Sequence, residues 1–433
     1  MTQPLFSVLT PARFFPDNRS KRGRVMRVGI DFGTSNTSVA MFSGGEVRLI
    51  ELEPGQVSIP TAIFYEADSR DRYIGAEANE VYEAGEDGRL LRSIKSVLGS
   101  DLIDETTQIG LRSVPFRQVI SDFLQSLLER VRDQTGEAVT EVFQGRPVSF
   151  NDTDPALDAR AQTILGDCLG QAGVKTVSFM PEPVAAAHSV AFGGDRERLV
   201  FVVDIGGGTS DFSLVRIEPA KGRFDVLSSS GVYIGGNDFD RLLSYFEITP
   251  LFGRTETLEL NGLPAPATHY ATLSDWKSLN KLYLPAVARE VDWMRKNSPN
   301  SVGIRAFEYL IQNYEAALYA HKTEAVKIAL SDAPEAGFDY AIPQASLHKP
   351  VARDAFNLLI AESLSAMNQA AYGCLDAAGM SHEKVTDIMM VGGSTFVPAV
   401  EQNFLRQFPN AEITANDRFG AVARGLASLA ATR

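Results

Sequence analysis

The stretch Val202–Ile217, VVDIGGGTSDFSLVRI, sets Asp204 before the triplet Gly206, Gly207 and Gly208, and Asp211 after it. Glycines weaken a strand and pack nothing, so the triplet reads as a turn with another purpose. Without Cβ atoms, and with φ > 0 open to glycine, consecutive backbone N–H groups can line one concavity. Such concavities bind anions. Thr209 and Ser210 add hydroxyl donors. The pattern recurs near the start of the chain. Laying Asp31 on Asp204 puts Gly33 on Gly206 and Asn36 on Thr209, with Thr34, Ser35 and Thr37 as hydroxyls. Either turn alone could be a plain hairpin with Asp and Gly as turn formers. Both together, in one order and between like strands, suggest a phosphate chain gripped from two sides. Bare carboxylates would repel phosphate. Asp31, Asp204 and Asp211 make sense beside a hard cation, and Mg²⁺ keeps several waters and meets carboxylates partly through them.

Other chemistries find no support. No GxxxxGK[ST] loop occurs. A dinucleotide-binding turn needs a helix after its glycines, whereas a strand follows each turn here. No GxSxG elbow appears. His188, His269, His321, His348 and His382 lack metal-ligand spacing, and Cys168 and Cys374 form no CxxC pair. So few cysteines fit a reducing, cytoplasmic setting.

The elements that would position the turns can be read from periodicity. MRVGIDF and SVAMF read as strands around the first turn, LVFVVDI as a buried central strand before the second. Phe116, Val119, Ile120, Phe123, Leu124, Leu127, Leu128 and Val131 recur at helical spacing, with Gly136 as a stop. Further helices are expected from about Pro155 to Gly173 and from about Asp354 to Ala378. VTDIMMVGGST reads as another buried strand running into glycines, and AVARGLASLAA as a closing small-residue helix. Strands and helices alternate throughout, an α/β pattern. The repeat of the glycine turn points to two lobes of like design facing each other.

The chain has 433 residues, 44% hydrophobic and 22% charged, with a net charge of -13. These values suit a globular chain of two to four domains or subdomains. The acidic balance argues against a nucleic-acid partner, and no 18-residue apolar run predicts a membrane span. Residues 1–25 carry five Arg and Lys against Asp17. They read as a disordered tail or a misassigned start ahead of Met26.

Taken together, these segments resemble the actin-like ATPase superfamily, and more closely the 70-kDa heat-shock (DnaK-type) chaperones, in particular stand-alone YegD-like members. GIDFGTSNTSVAMF is similar to that family's first phosphate loop and VVDIGGGTSDFSLV to its second. SIKSVLGS resembles the segment of the catalytic lysine, which falls on Lys95. GRPVSFND and MPEPVAAAHSVA resemble the linked proline and glutamate segments, giving Pro147 and Glu182. YIGGNDFDRLL, with Gly235 and Gly236, resembles the turn after the second loop. TEAVKIALSD resembles the adenosine-side helix, giving Glu324, Lys327 and Ser331. VGGSTFVPAV places Gly392, Gly393 and Ser394 at the adenosine, and Asp417 joins the cofactor-binding set. Two positions depart from the family: Phe396 and Ile328 stand where it has arginine. Arg160 is a candidate for its relay arginine.

The resemblance implies two ribonuclease-H-like lobes around a nucleotide cleft. Lobe I would span residues 26–198 plus a C-terminal helix over 416–433. Lobe II would span 199–415, with an outer subdomain at about 240–330. No peptide-binding domain is expected. ATP or ADP with Mg²⁺ would be the ligands, and Lys95, Glu182, Asp204 and Asp211 the catalytic groups. The implied activity is ATP hydrolysis driving a conformational switch for a protein partner or co-chaperone. A filament-forming scaffold and a small-molecule kinase are the alternatives on the same fold.

Overall fold

The computed structural model describes residues 26–151, 154–191, 196–414 and 418–431. The expected tail over 1–25, and Asp417, lie outside the described residues. Strands β1 (Met26–Phe32), β2 (Asn36–Ser43), β3 (Glu46–Leu49) and β4 (Ser58–Pro60) open the chain. β5 (Ala62–Glu66), β6 (Arg72–Ile74) and β7 (Gly88–Arg92) form a separate three-stranded sheet with helix α1 (Gly75–Glu83). A hairpin of β8 (Thr106–Ile109) and β9 (Arg112–Pro115) leads into α2 (Phe116–Thr135). β10 (Val139–Arg146) and, after α3 (Pro155–Gln171), β11 (Thr176–Pro181) rejoin the first sheet, giving the order β11-β10-β1-β2-β3 with β4 on β2. β1 runs antiparallel to β2 and parallel to β10.

After α4 (Glu182–Ala191) the scheme repeats. β12 (Arg198–Ile205), β13 (Ser210–Glu218) and β14 (Arg223–Val232) form an antiparallel meander. Five helices follow: α5 (Gly236–Leu243), α6 (Ala267–Ser274), α7 (Pro285–Asn297), α8 (Val302–Gln312) and α9 (Ala316–Asp332). Then come the hairpin of β15 (Glu335–Ile342) and β16 (Ala345–Ala352), and helices α10 (Arg353–Leu359) and α11 (Ala361–Ala377). β17 (Asp387–Val391), α12 (Pro398–Gln407), β18 (Glu412–Thr414) and α13 (Ala421–Ala431) end the described chain. The second sheet has the order β14-β13-β12-β17-β18, with β12 and β17 parallel. Each sheet is thus a three-strand meander extended by two parallel strands from its first strand. The repeat seen in the two glycine turns extends to the whole sheet.

The strands form where the apolar runs predict. Val200 to Val203 of β12 and all of β17 are buried, as strands covered on both faces must be. α2 ends at Gly136, whose left-handed φ of 75° stops the helix. The helix expected over Asp354–Ala378 is instead two, α10 and α11, meeting at Ile360 (φ -88°, ψ 0°). One core packs β1, α2 and α3 around Phe32, Phe123 and Leu165. A larger one joins the second sheet to the helices beyond it. A third connects Val202 and Met389 of the second sheet to Ala185 of α4 and Leu426 of α13. There the packing is close. A Cβ on Gly425 of α13 would lie 1.7 Å from the Ala185 carbonyl oxygen, and one on Gly29 of β1 would lie 2.5 Å from the Ala427 nitrogen.

Candidate functional site

The β1–β2 and β12–β13 turns face each other across a cleft of about 2330 Å³. Each turn is closed in the same way. Gly33 N–H donates to the Asn36 carbonyl (3.0 Å), and Gly206 N–H to the Thr209 carbonyl (2.9 Å). The turns also touch, since Gly207 N–H donates to Ser35 Oγ at 3.1 Å. None of Gly33, Gly206, Gly207 and Gly208 adopts a left-handed φ. Conformational freedom is therefore not why glycine stands there, contrary to the expectation from sequence. Close approach explains three positions. A Cβ on Gly33 would lie 2.3 Å from the Asn36 carbonyl oxygen, one on Gly207 2.3 Å from Ser35 Oγ, and one on Gly235 2.7 Å from the Gly206 carbonyl oxygen.

The braces behind the turns differ. Thr61 supports the first: its N–H donates to the Ser35 carbonyl and its hydroxyl to the Gly33 carbonyl, both at 2.8 Å. Backbone supports the second. Gly236 N–H donates to the Gly206 carbonyl (3.0 Å) and Asn237 N–H to the Gly207 carbonyl (2.7 Å). Ser394 Oγ donates to the Gly206 carbonyl at 3.2 Å. Gly392, at φ 87°, brings β17 in beneath. A Cβ there would lie 2.3 Å from the Ile205 carbonyl oxygen.

Beneath the turns, the Lys95 ammonium donates to Glu182 Oε1 at 2.6 Å, with both side chains largely buried. Lys95 sits on a short 3-10 turn, Ile94–Val97, entered through Ser93 at φ 54°. A non-glycine residue in that region is strained, and such strain gathers where side chains are held for function. Burial works against the Lys95 charge, but Glu182, Asp31 and Asp204 outweigh it and hold its pKa above the ordinary lysine value. Burial, then Glu182, pushes Asp31 up to about 7 against the pull of Lys95. Burial, then Glu182, Asp211 and Asp31, raises Asp204 well above the usual carboxylate range. The ladder sets Asp204 directly opposite Asp211. Negative charge here exceeds what Lys95 supplies, so the cluster fits an added cation. Among the described residues no three His, Cys, Asp or Glu side chains converge as a direct metal cage. That suits an ion bound by one or two carboxylates, waters and substrate oxygens, the habit of Mg²⁺.

Further along the cleft, Lys327 donates to Asp240 Oδ2 at 2.7 Å. Burial opposes the Lys327 charge, but Asp240 and Glu324 keep its pKa raised. Asp240, raised to about 6 by burial despite Lys327, is a partner that sequence reasoning missed. Glu324, Ser331, Gly392, Gly393 and Ser394 line the same cleft, as do Thr34, Asn36, Gly208, Thr209 and Pro147. Gly235 does not line it but supports Gly206 and Gly207 from behind. Arg160 does not join the site: it pairs with Asp104 on the surface of α3. The missed braces, Thr61, Ser93 and Asn237, carry no motif of their own. Only their contacts reveal them.

Two meander-plus-parallel sheets, with twin turns meeting at the floor of a shared cleft, define the actin-like ATPase fold. Within that class the match is narrower. The chain belongs to the Hsp70 family, described as Hsp70 protein, which matches residues 27–122, 114–262 and 312–432. It is similar to the chaperone protein HscA homolog of Shewanella baltica, 27% identical over 424 residues covering 93% of this chain and 57% of that protein. It is 26% identical to the chaperone protein HscA of Serratia proteamaculans, over 93% of this chain and 58% of that protein. It is 24% identical to the chaperone protein DnaK of Psychrobacter cryohalolentis, over 92% and 57%. The chain thus spans little more than half the length of these relatives. No helix among the described residues is long and apolar enough to cross a membrane.

Proposed function

We propose that the chain binds ATP with Mg²⁺ in this cleft, hydrolyses it slowly and uses the cycle to change conformation for a protein partner. The observation that carries this is the Gly207–Ser35 contact at 3.1 Å, where turns from the two lobes meet above the Lys95–Glu182 pair. Phosphoryl transfer depends on positioning and on stabilising charge rather than on covalent chemistry. The N–H groups of Gly208 on one side and of the Thr34–Ser35 segment on the other would hold the phosphate chain. Lys95, kept charged by its acidic neighbours, would sit against the charge that develops on the transferred group. Glu182, fixed by Lys95, would orient the attacking water. Asp31, Asp204 and Asp211 would hold Mg²⁺ partly through water, and the ion would supply positive charge against the phosphates. Glu324, Lys327, Ser331, Gly393 and Ser394 would bind the nucleoside.

Residues 26–198 with the closing helix would move as lobe I, and 199–415 as lobe II. A ligand that contacts both lobes favours their closed arrangement by its differential affinity for the two states. The names of the relatives, chaperones all three, support a protein partner over a small phosphate acceptor. The test is phosphate release from ATP with Mg²⁺ and no added acceptor. Slow release supports the proposal. Release only with a small acceptor would favour the kinase alternative, and cooperative light scattering with ATP the filament.

A further inference from the structure

Thr61 follows β4 at the cleft wall, is buried, and has its N–H, its carbonyl and its hydroxyl all engaged. The hydroxyl donates to the Gly33 carbonyl and the N–H to the Ser35 carbonyl, both at 2.8 Å. The Thr61 carbonyl accepts from the Ser93 N–H at 3.2 Å. This third bond has no part in the glycine turn. It extends the β5–β7 ladder, which pairs Ala62 with Arg92, to the entry of the Ile94–Val97 turn that carries Lys95. A hydroxyl has one proton, and that of Thr61 goes to Gly33. The buried Thr37 hydroxyl, 2.8 Å away, is therefore the donor to Thr61. The result is a directed chain from Thr37 through Thr61 to Gly33, and the bonds of such a chain polarise one another.

We propose that Thr61 is a positioning residue for hydrolysis: it holds the first glycine turn and the Lys95 turn in one register, so that the phosphate-binding N–H groups and the ammonium meet the same phosphoryl group. The proposal rests on the hydrolytic function given above. A trans peptide is planar, with its C=O and N–H pointing opposite ways. Gripping the Gly33 carbonyl therefore fixes the direction of the Thr34 N–H. Gripping the Ser35 carbonyl fixes the next peptide but one. On the other side, Ser93 is held at φ 54°, a costly conformation that persists only where its surroundings enforce it. Both of its peptide groups are pinned. Its N–H goes to Thr61, and its carbonyl accepts from the Ser96 N–H at 3.0 Å and the Ser96 hydroxyl at 2.7 Å. Lys95 lies between Ser93 and Ser96, so its turn is tethered at its entry to the residue that grips the glycine turn. Without the Thr61 hydroxyl, the Gly33 carbonyl loses that grip and the two turns are free to drift apart.

The experiment is single-turnover phosphate release by the full chain with ATP and Mg²⁺. It compares the unaltered chain with Thr61→Val, Thr61→Ser, Lys95→Met and the double variant of Thr61→Val with Lys95→Met. Valine keeps the volume and loses the hydroxyl. Thr61→Val is expected to lower the rate constant by at least about tenfold, since a small misplacement of reacting groups can cost about 100-fold. Thr61→Ser, which keeps the hydroxyl, is expected to come back to within about threefold of the unaltered chain. A single-turnover rate constant counts only folded, loaded chain, so a merely structural role would reduce the amplitude and leave the constant alone. In the Lys95→Met background, Thr61→Val is expected to cost less than about threefold, because no ammonium is left to keep in register. Thr61→Ala replaces Thr61→Val throughout if the valine variant does not fold. An unchanged rate constant without the hydroxyl would overturn the proposal. So would an equal loss in Thr61→Ser, or a loss as large with Lys95→Met as without it. Those outcomes remove Thr61 alone. If the unaltered chain releases no phosphate, the hydrolytic function falls and this role falls with it, so the two failures are told apart.

Discussion

The first and second glycine turns close on the same hydrogen bond, yet they depend on glycine at different points. At Gly33 a Cβ would strike the Asn36 carbonyl at 2.3 Å, whereas at the equivalent Gly206 the nearest atom, Thr209 O, is 3.7 Å away. The steric demand in the second turn has moved to Gly207 against Ser35, and to Gly235 behind it. The braces diverge likewise. A threonine side chain holds the first turn, while the backbone of Gly236 and Asn237 holds the second. Even the charges differ: Asp31 faces Ser38 across its ladder, but Asp204 faces Asp211. A shared motif has thus kept its geometry of N–H groups while the support beneath it was assembled twice, from different materials.

The largest expected effect tests what the turns share. Lys95→Met should slow single-turnover phosphate release by about 100- to 1000-fold, the usual cost of removing one group aimed at transition-state charge. Nucleotide Kd, read by calorimetry, should move much less. Unchanged release would take Lys95 out of the mechanism. Next comes the steric asymmetry. Gly33→Ala should destabilise the chain by about 2–3 kcal/mol, as overpacking against fixed backbone does. Gly206→Ala should stay within about 0.5 kcal/mol. Urea unfolding of both variants decides, and equal losses would erase the distinction.

A smaller effect separates the charges. The folded value of Asp31, about 7, lies above that of an unfolded aspartate, so the folded chain binds protons that the unfolded chain releases. Its penalty on stability is absent below about pH 4, grows as pH rises and is complete above about pH 7. Asp31→Asn should therefore stabilise the nucleotide-free chain at pH 8 relative to pH 5, by about 1–3 kcal/mol. Denaturation curves that shift equally at both pH values would contradict it. The smallest signal is a fraction of a proton. Binding of ADP with Mg²⁺ at pH 7 should release protons, because a cation beside Asp31 and Asp204 lowers their pKa values. Binding heats that do not vary with the ionisation heat of the buffer would place the cation elsewhere.

Both turns and both central strands were legible in the sequence because each is a local pattern: an apolar run, an aspartate, glycine and hydroxyls. Duplication gave the two-lobed plan, and the described sheets extend it. Burial of Lys95 was not legible, since a lone lysine in SIKSVLGS has no periodic signature. The sheet of β5, β6 and β7 escaped for a related reason. Its strands are three to five residues long, too short for alternation to speak. Thr61 and Asp240 act on residues far away in sequence, and only the folded chain brings them to their partners. Arg160, offered as a candidate, pairs with Asp104 and does not line the cleft.

The glycines of β1 and α13 have a mechanical consequence. Where Gly29 meets Ala427 and Gly425 meets Ala185, main chain rests directly on main chain. Interlocked side chains resist sliding because they must change rotamer to pass one another. At these two points backbone meets backbone within one lobe, so α13 can shift slightly against β1 and α4 there without a side chain at the contact having to change rotamer.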